Sequence, residues 1–146
     1  MKTLVVYDSI YGNTEKVARS IGEAISGDIR VLRSKEVDPT DLGTVDTLIV
    51  GSPTLGGRPS EPIQDFLARL PEGLVKGIKV AAFDTRYSGK FVKLFGFAAE
   101  RIASSLESKG GRLVSPPAAF YVSGKRGPLK EGELERASSW ARELLK

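Results

Sequence analysis

The sequence predicts an α/β fold: a doubly wound, five-stranded parallel sheet of order 2-1-3-4-5 with helices on both faces. Three observations lead there. Short apolar, β-branched runs have the length of buried strands. Between them lie segments whose apolar residues recur at helical spacing. The two patterns alternate along all 146 residues, which implies parallel crossovers and a sheet covered on both sides.

The strand runs are Thr3 to Tyr7, Ile29 to Leu32, Thr47 to Val50, Ile78 to Phe83 and Ala118 to Val122. Val17, Ala18, Ile21 and Ile25 form the first helical stripe. Ile63, Phe66, Leu67 and Leu70 form the second, with Ser60 as its N-cap and Glu61 and Pro62 in the first turn. Phe91, Leu94, Phe95, Ala98, Ile102 and Leu106 form the third, and Phe97 falls off that stripe, where it would reach a contact surface. Leu134, Ala137, Ala141, Leu144 and Leu145 form the fourth. Residues 38–42 suggest a short helix. No repeat, low-complexity tract or long linker divides the chain, so residues 1–146 read as one domain.

Composition excludes several chemistries. The chain has no cysteine, hence no disulfide, thiolate metal site or cysteine nucleophile. It has no histidine, hence no imidazole metal site and no Ser-His-Asp triad. Redox chemistry would have to come from a cofactor. The net charge is +4, but its lysines and arginines are scattered among acids with no basic run, which argues against a nucleic-acid partner. No apolar run approaches the length of a membrane span or a signal peptide. The expectation is a soluble, cytoplasmic protein.

In the predicted strand order the switch point lies between the first and third strands, and ligands bind there beyond the strands' carboxyl ends. Three loops border that crevice: residues 9–14, 52–58 and 84–89. The first, Ser9-Ile10-Tyr11-Gly12-Asn13-Thr14, joins a strand to an amphipathic helix. A helix start offers unpaired N–H groups and partial positive charge to an anion. Gly12 permits close backbone approach, and Ser9, Asn13 and Thr14 add neutral donors. Such a loop would hold a phosphate without lysine or arginine. Helix capping alone would account for Asn13 or Thr14 singly, though not for four such positions together. Gly56-Gly57 reads equally as a plain turn.

This loop resembles the phosphate loop of flavodoxins, T/S-x-T-G-N-T. The wider string from Val6 to Ala18 is similar to the start of the flavodoxin domains of flavodiiron proteins. Ser9, Gly12, Asn13 and Thr14 match the motif, whereas Tyr11 replaces its third-position threonine. Gly51-Ser52-Pro53-Thr54-Leu55-Gly56 resembles the family segment that lines one side of the flavin, with Leu55 where an aromatic is usual. The resemblance implies a flavodoxin-like fold, flavin mononucleotide (FMN) as cofactor, and single-electron transfer between redox partner proteins. It implies a site built from the whole first loop, from Pro53, Thr54, Leu55, Gly56 and Gly57, and from Thr85, Arg86, Tyr87 and Gly89. Within it, Gly56 would turn its carbonyl toward the reduced flavin and Tyr87 would stack on the ring. An ordinary loop tyrosine is the alternative for Tyr87. Asp84 would pair with Arg86 or Arg58. The basic charge points to partners with acidic docking surfaces.

Other readings fit less well. A receiver domain needs an acid at the end of the third strand, where Gly51-Ser52 stands. The first loop lacks G-x-G-x-x-G and the P-loop's Gly-Lys-Ser/Thr ending. A low-molecular-weight phosphatase needs a cysteine. An FMN-dependent quinone reductase remains as the enzymatic alternative, although the chain leaves little room for a substrate pocket. A flavin-free adaptor would have lost the phosphate-loop donors.

Overall fold

The computed structural model describes residues 2–87 and 97–146. Its elements are β1 (Lys2–Tyr7), α1 (Asn13–Ala24), β2 (Asp28–Arg33), β3 (Thr47–Pro53), α2 (Glu61–Arg69), β4 (Lys79–Tyr87), α3 (Ala98–Ser108), β5 (Arg112–Leu113), β6 (Ala118–Val122) and α4 (Glu133–Leu144). The sheet runs β2-β1-β3-β4-β5, and β6 also pairs with β4. Every one of these pairs is parallel. The predicted order and the helices on both faces hold, but α3 begins at Ala98 after an extended Phe97, so the stripe from Phe91 to Leu106 is not one helix.

The strand count differs. The sheet edge beyond β4 is filled by two strands, not one. Lys79 and Val80 pair with Arg112 and Leu113, and the ladder resumes where Phe83 meets Ala118. Pro116 and Pro117 lie between the two pieces. Proline has no N–H to donate, so a continuous ladder is broken there. The inner strands also run further than their apolar residues suggest. Ser52 pairs with Asp84 and Pro53 with Thr85, which carries backbone order into what reads as loop sequence.

Side chains alternate across the sheet as a pleated strand requires. Leu4, Val6, Leu48, Val50, Val80 and Ala82 face α2 and α3. Val5, Tyr7, Ile49, Ala81 and Phe83 face α1 and α4. On the second side, Phe83, Phe120 and Trp140 meet edge to face with centroids 6.0–6.2 Å apart. Gly51 admits this cluster, because a Cβ there would lie 2.0 Å from the Phe83 ring. The stripes on α1 and α2 are buried as predicted. On α3, Ala98, Ile102 and Leu106 are buried, whereas Phe91, Leu94 and Phe95 fall outside the described residues. The suggested helix near residues 38–42 is a 3₁₀ segment, Pro39–Thr44.

Two helix starts depart from expectation. Ser60 occupies the N-cap of α2 but its side chain caps nothing; it meets Ser52 instead. On α4 the buried stripe begins at Glu133, and Leu134 is exposed. Glu133 is drawn inward because its carboxylate accepts from the Tyr121 N–H at 2.7 Å and from Arg136 at 2.8 Å. Arg136 in turn donates to the Ala119 carbonyl, so one ion pair fastens α4 to β6. The Arg136 hydrogen bond, then the Tyr121 N–H, holds the Glu133 carboxyl below its ordinary value near 4.5. A depressed carboxyl contributes stability above its unfolded pKa and loses it as pH falls through the folded one. Glu133→Gln is therefore expected to cost about 1–2 kcal/mol at pH 7. The gap from the parent should shrink as pH drops below about 4.5. Urea unfolding at several pH values measures it, and a pH-independent gap would contradict the assignment.

Candidate cofactor-binding site

The carboxyl ends of β1, β3 and β4 bring the three predicted loops to one cavity of about 270 Å³. From the first loop, Ser9, Ile10, Tyr11, Asn13 and Thr14 line it. Pro53, Thr54, Leu55 and Gly56 line a second side, and Thr85, Arg86 and Tyr87 a third. Gly12 and Gly57 shape their loops without lining the cavity. Gly89 lies outside the described residues. Sequence reasoning did not place Val122 and Lys125 here, yet both line the cavity. Their signal is tertiary: β6 ends on the same edge of the sheet.

The first loop is ordered by its own short bonds. Gly12, at φ 91°, is the N-cap of α1, so neither Asn13 nor Thr14 is the cap. The Ser9 hydroxyl accepts from the Gly12 N–H at 3.0 Å and keeps its proton for another acceptor. The first N–H groups of α1 have no intrahelical partner and point out of the helix start. Thr14, almost fully buried, shares a 2.7 Å hydrogen bond with Thr85. Two hydroxyls carry two protons and this bond uses one, so the pair retains one to donate. Arg33 steadies the loop from below, with Nη1 donating to the Ser9 carbonyl at 3.3 Å.

The other end is apolar. Leu55 and Tyr87 are about half exposed at its rim, at 43% and 50%. Leu55 and Arg58 exchange backbone bonds of 2.8 and 3.1 Å around Gly56-Gly57. Both glycines have positive φ, 57° and 80°, as a tight hairpin turn demands. Thr54 ties this loop inward: its N–H donates to the Thr85 carbonyl, and its hydroxyl accepts from the Ala98 N–H at 3.1 Å.

Arg86 reaches the cavity wall, but its guanidinium is engaged behind it. Nε and Nη2 hold both oxygens of the fully buried Asp84 at 2.8 and 2.7 Å. Of the two partners considered for Asp84, the structure thus selects Arg86. Phe97 lies against the same guanidinium, 3.5 Å from ring centroid to Cζ, and is only partly buried. Burial pushes the Asp84 carboxyl above the ordinary aspartate range, against the pull of Arg86 and the Ala99 N–H.

Among the described residues no carboxylate lines the cavity, whereas Arg86 and Lys125 do. Hydroxyls and helix N–H groups gather at one end and apolar rims at the other. That arrangement suits a ligand with an anionic tail and a flat apolar head. The family comparison decides which. The family model described as flavodoxin matches residues 5–140. This chain belongs to the flavodoxin family. Flavodoxins bind FMN, serve in electron transfer and work with redox partner proteins. The chain is 31% identical over 123 residues to the flavodoxin of Maridesulfovibrio salexigens, covering 77% of this chain and 81% of that protein. It is 34% identical over 128 residues to the type A flavoprotein fprA of Rhodobacter capsulatus, covering 81% of this chain. It spans only 29% of that longer relative. A solved flavodoxin from the domain Archaea shares the fold, with a TM-score of 0.84 at 24% identity over 99% of this chain and 96% of that one. Among the described residues no helix is long and apolar enough to cross a membrane.

FMN fits the flavodoxin site seen here. Ser9, the Thr14–Thr85 pair and the α1 start offer hydrogen-bond donors to an anion. Leu55 and Tyr87 offer apolar surface to a flat ring.

Proposed function

We propose that this chain is a single-electron carrier that holds FMN in the three-loop cavity and passes electrons between protein partners. The observation that carries this reading is the convergence of a polar helix start and two half-exposed apolar side chains on one cavity that no described carboxylate lines. Bound FMN would supply the redox chemistry, for which the chain has neither cysteine nor histidine. Ser9, Asn13 and Thr14 bind the tail. Leu55 covers one part of the ring by dispersion and Tyr87 another by stacking. Pro53, Thr54, Thr85 and Arg86 complete the walls, and the Gly56-Gly57 turn carries a carbonyl toward the ring edge. Reductive titration of the FMN-loaded protein, followed by its visible spectrum and potential, tests the reading. Two separate one-electron steps support a carrier. Rapid NADH oxidation with a quinone acceptor would overturn it in favour of a reductase, and a protein indifferent to FMN would make it an adaptor.

The partner reading is finer still. A groove between α2 and α3 is lined by Arg58, Arg101 and Lys109 and, among the described residues, by no acid. Arg58 also closes the Leu55–Arg58 turn, so the groove begins at the rim of the cofactor cavity. An acidic redox protein complements that charge. Reversing Arg58 and Arg101 to glutamate should slow electron exchange with such a partner about 10-fold at low salt. Stopped-flow rates across a salt series measure this. Unchanged rates would place docking elsewhere.

A further inference from the structure

The loop from residue 123 to 130, between β6 and α4, belongs to none of the three switch-point loops. It is nonetheless built onto the first of them. The Asn13 side-chain amide donates to the Arg126 carbonyl at 3.2 Å. The same carboxamide fills the place of a side chain at Gly127, where a Cβ would stand 2.6 Å from both its oxygen and its nitrogen. The Arg126 guanidinium lies 5.9 Å from the centre of the Tyr11 ring. That contact gives a physical use to the aromatic that replaces the motif's threonine.

The loop is also held from within. The Ser123 N–H and hydroxyl both donate to the Pro128 carbonyl, at 2.8 and 2.7 Å. The Lys130 N–H donates to the Tyr121 carbonyl, and Val122 bridges Leu129. This ordered loop sets Lys125 on the wall of the cavity that Ser9, Asn13 and Thr14 also line. Among the described residues no carboxylate lines it, and Lys125 has no ion pair.

We propose that Lys125 is a charged ligand for the cofactor's phosphate, set in place by the latch between Asn13 and the Arg126–Gly127 backbone. The proposal rests on the FMN reading of the cavity. The neutral donors of the first loop recognise the phosphate by geometry, and Lys125 adds a salt-sensitive attraction to its charge. The chain then prefers FMN to uncharged riboflavin by more than the neutral donors alone provide. Tyr11 and Gly127 act as positioning residues: one gives the loop a surface to rest on, the other makes room for Asn13.

The test is equilibrium titration of FMN and of riboflavin, followed by quenching of flavin fluorescence. The proteins are the parent, Lys125→Gln, Lys125→Arg and Gly127→Ala. Lys125→Gln should weaken FMN about 3- to 10-fold at low salt. The gap should close near about 0.5 M salt, where the screening length is roughly 4 Å. Riboflavin affinity should not change, and Lys125→Arg should stay close to the parent. Gly127→Ala should weaken FMN with no change of charge, because Asn13 must give way. If Lys125→Gln binds FMN as tightly as the parent, the proposal fails and the cavity reading stands. If it weakens FMN and riboflavin equally, Lys125 is not a phosphate ligand. If the parent binds neither flavin, the cavity reading falls and the proposal with it.

Discussion

Replacing Arg86 with alanine should cost the fold about 3–5 kcal/mol at pH 7, because it strands a buried carboxylate. Asp84 is fully buried, and three donors satisfy it: Arg86 Nε, Arg86 Nη2 and the Ala99 N–H at 2.9 Å. Even so, burial already pushes its carboxyl above the ordinary aspartate range. Without Arg86, one backbone N–H remains against the desolvation of the charge. The pH dependence follows from linkage. A carboxyl whose folded pKa is raised binds its proton more tightly in the folded state, so stability falls as pH rises from the unfolded to the folded value. The penalty of Arg86→Ala should therefore be smallest near the unfolded aspartate value of 3.8 and grow toward neutral pH. Urea denaturation of parent and variant across that range measures it. The double variant Asp84→Asn/Arg86→Met removes both charges and should recover much of the loss, since an apolar replacement of a buried pair is often near neutral. A single-variant cost below about 1 kcal/mol at pH 7 would show that Asp84 is already protonated in the parent.

Thr14→Ala should weaken FMN binding about 10- to 150-fold, the loss of one hydrogen bond to a charged group. The structure adds a second consequence. Thr14 and Thr85 share one hydrogen bond in a buried position, so removing either hydroxyl strands the other. Thr85→Val should therefore also weaken FMN, because Thr14 loses the hydroxyl that orients its own. Thr14→Ser keeps the hydroxyl and should stay within a few-fold of the parent. Thr14→Ala and Thr85→Val should each also lose about 1–3 kcal/mol of stability in the absence of ligand. Isothermal titration with FMN, paired with urea unfolding of the apoprotein, separates the two effects. An unchanged dissociation constant for Thr14→Ala would remove Thr14 from the site.

The sheet was readable because its evidence is local. Val5 and Val6 point to opposite faces whatever else the chain does, and each face needs its own helices. The stripes Val17-Ala18-Ile21 and Ile63-Phe66-Leu67 carry their own period. The site was readable to the extent that topology follows from the alternation, since parallel order brings the loops after β1, β3 and β4 to one edge. The break between β5 and β6 was also open to inspection in Pro116-Pro117, but residues 112–113 are too short and polar to show a strand period.

The remaining features depend on partners far apart in the chain. Nothing in Gly132-Glu133-Leu134 says that the acid turns inward and the leucine outward; a free backbone N–H on Tyr121 decides it. The residue order left Asp84 two candidate partners, Arg86 and Arg58; the fold decides for Arg86, its neighbour on the same face of β4, and adds the Ala99 N–H from 15 residues on. The loop Ser9 to Thr14 shows the division most clearly. Its donors, its glycine and its place at a helix start are local chemistry that the residue order carries. The assignment of Gly12 as the cap, the joining of Thr14 to Thr85, and the docking of Asn13 on the loop that brings Lys125 arise only in three dimensions. Those contacts span 71 and 113 residues, a separation over which no local pattern extends.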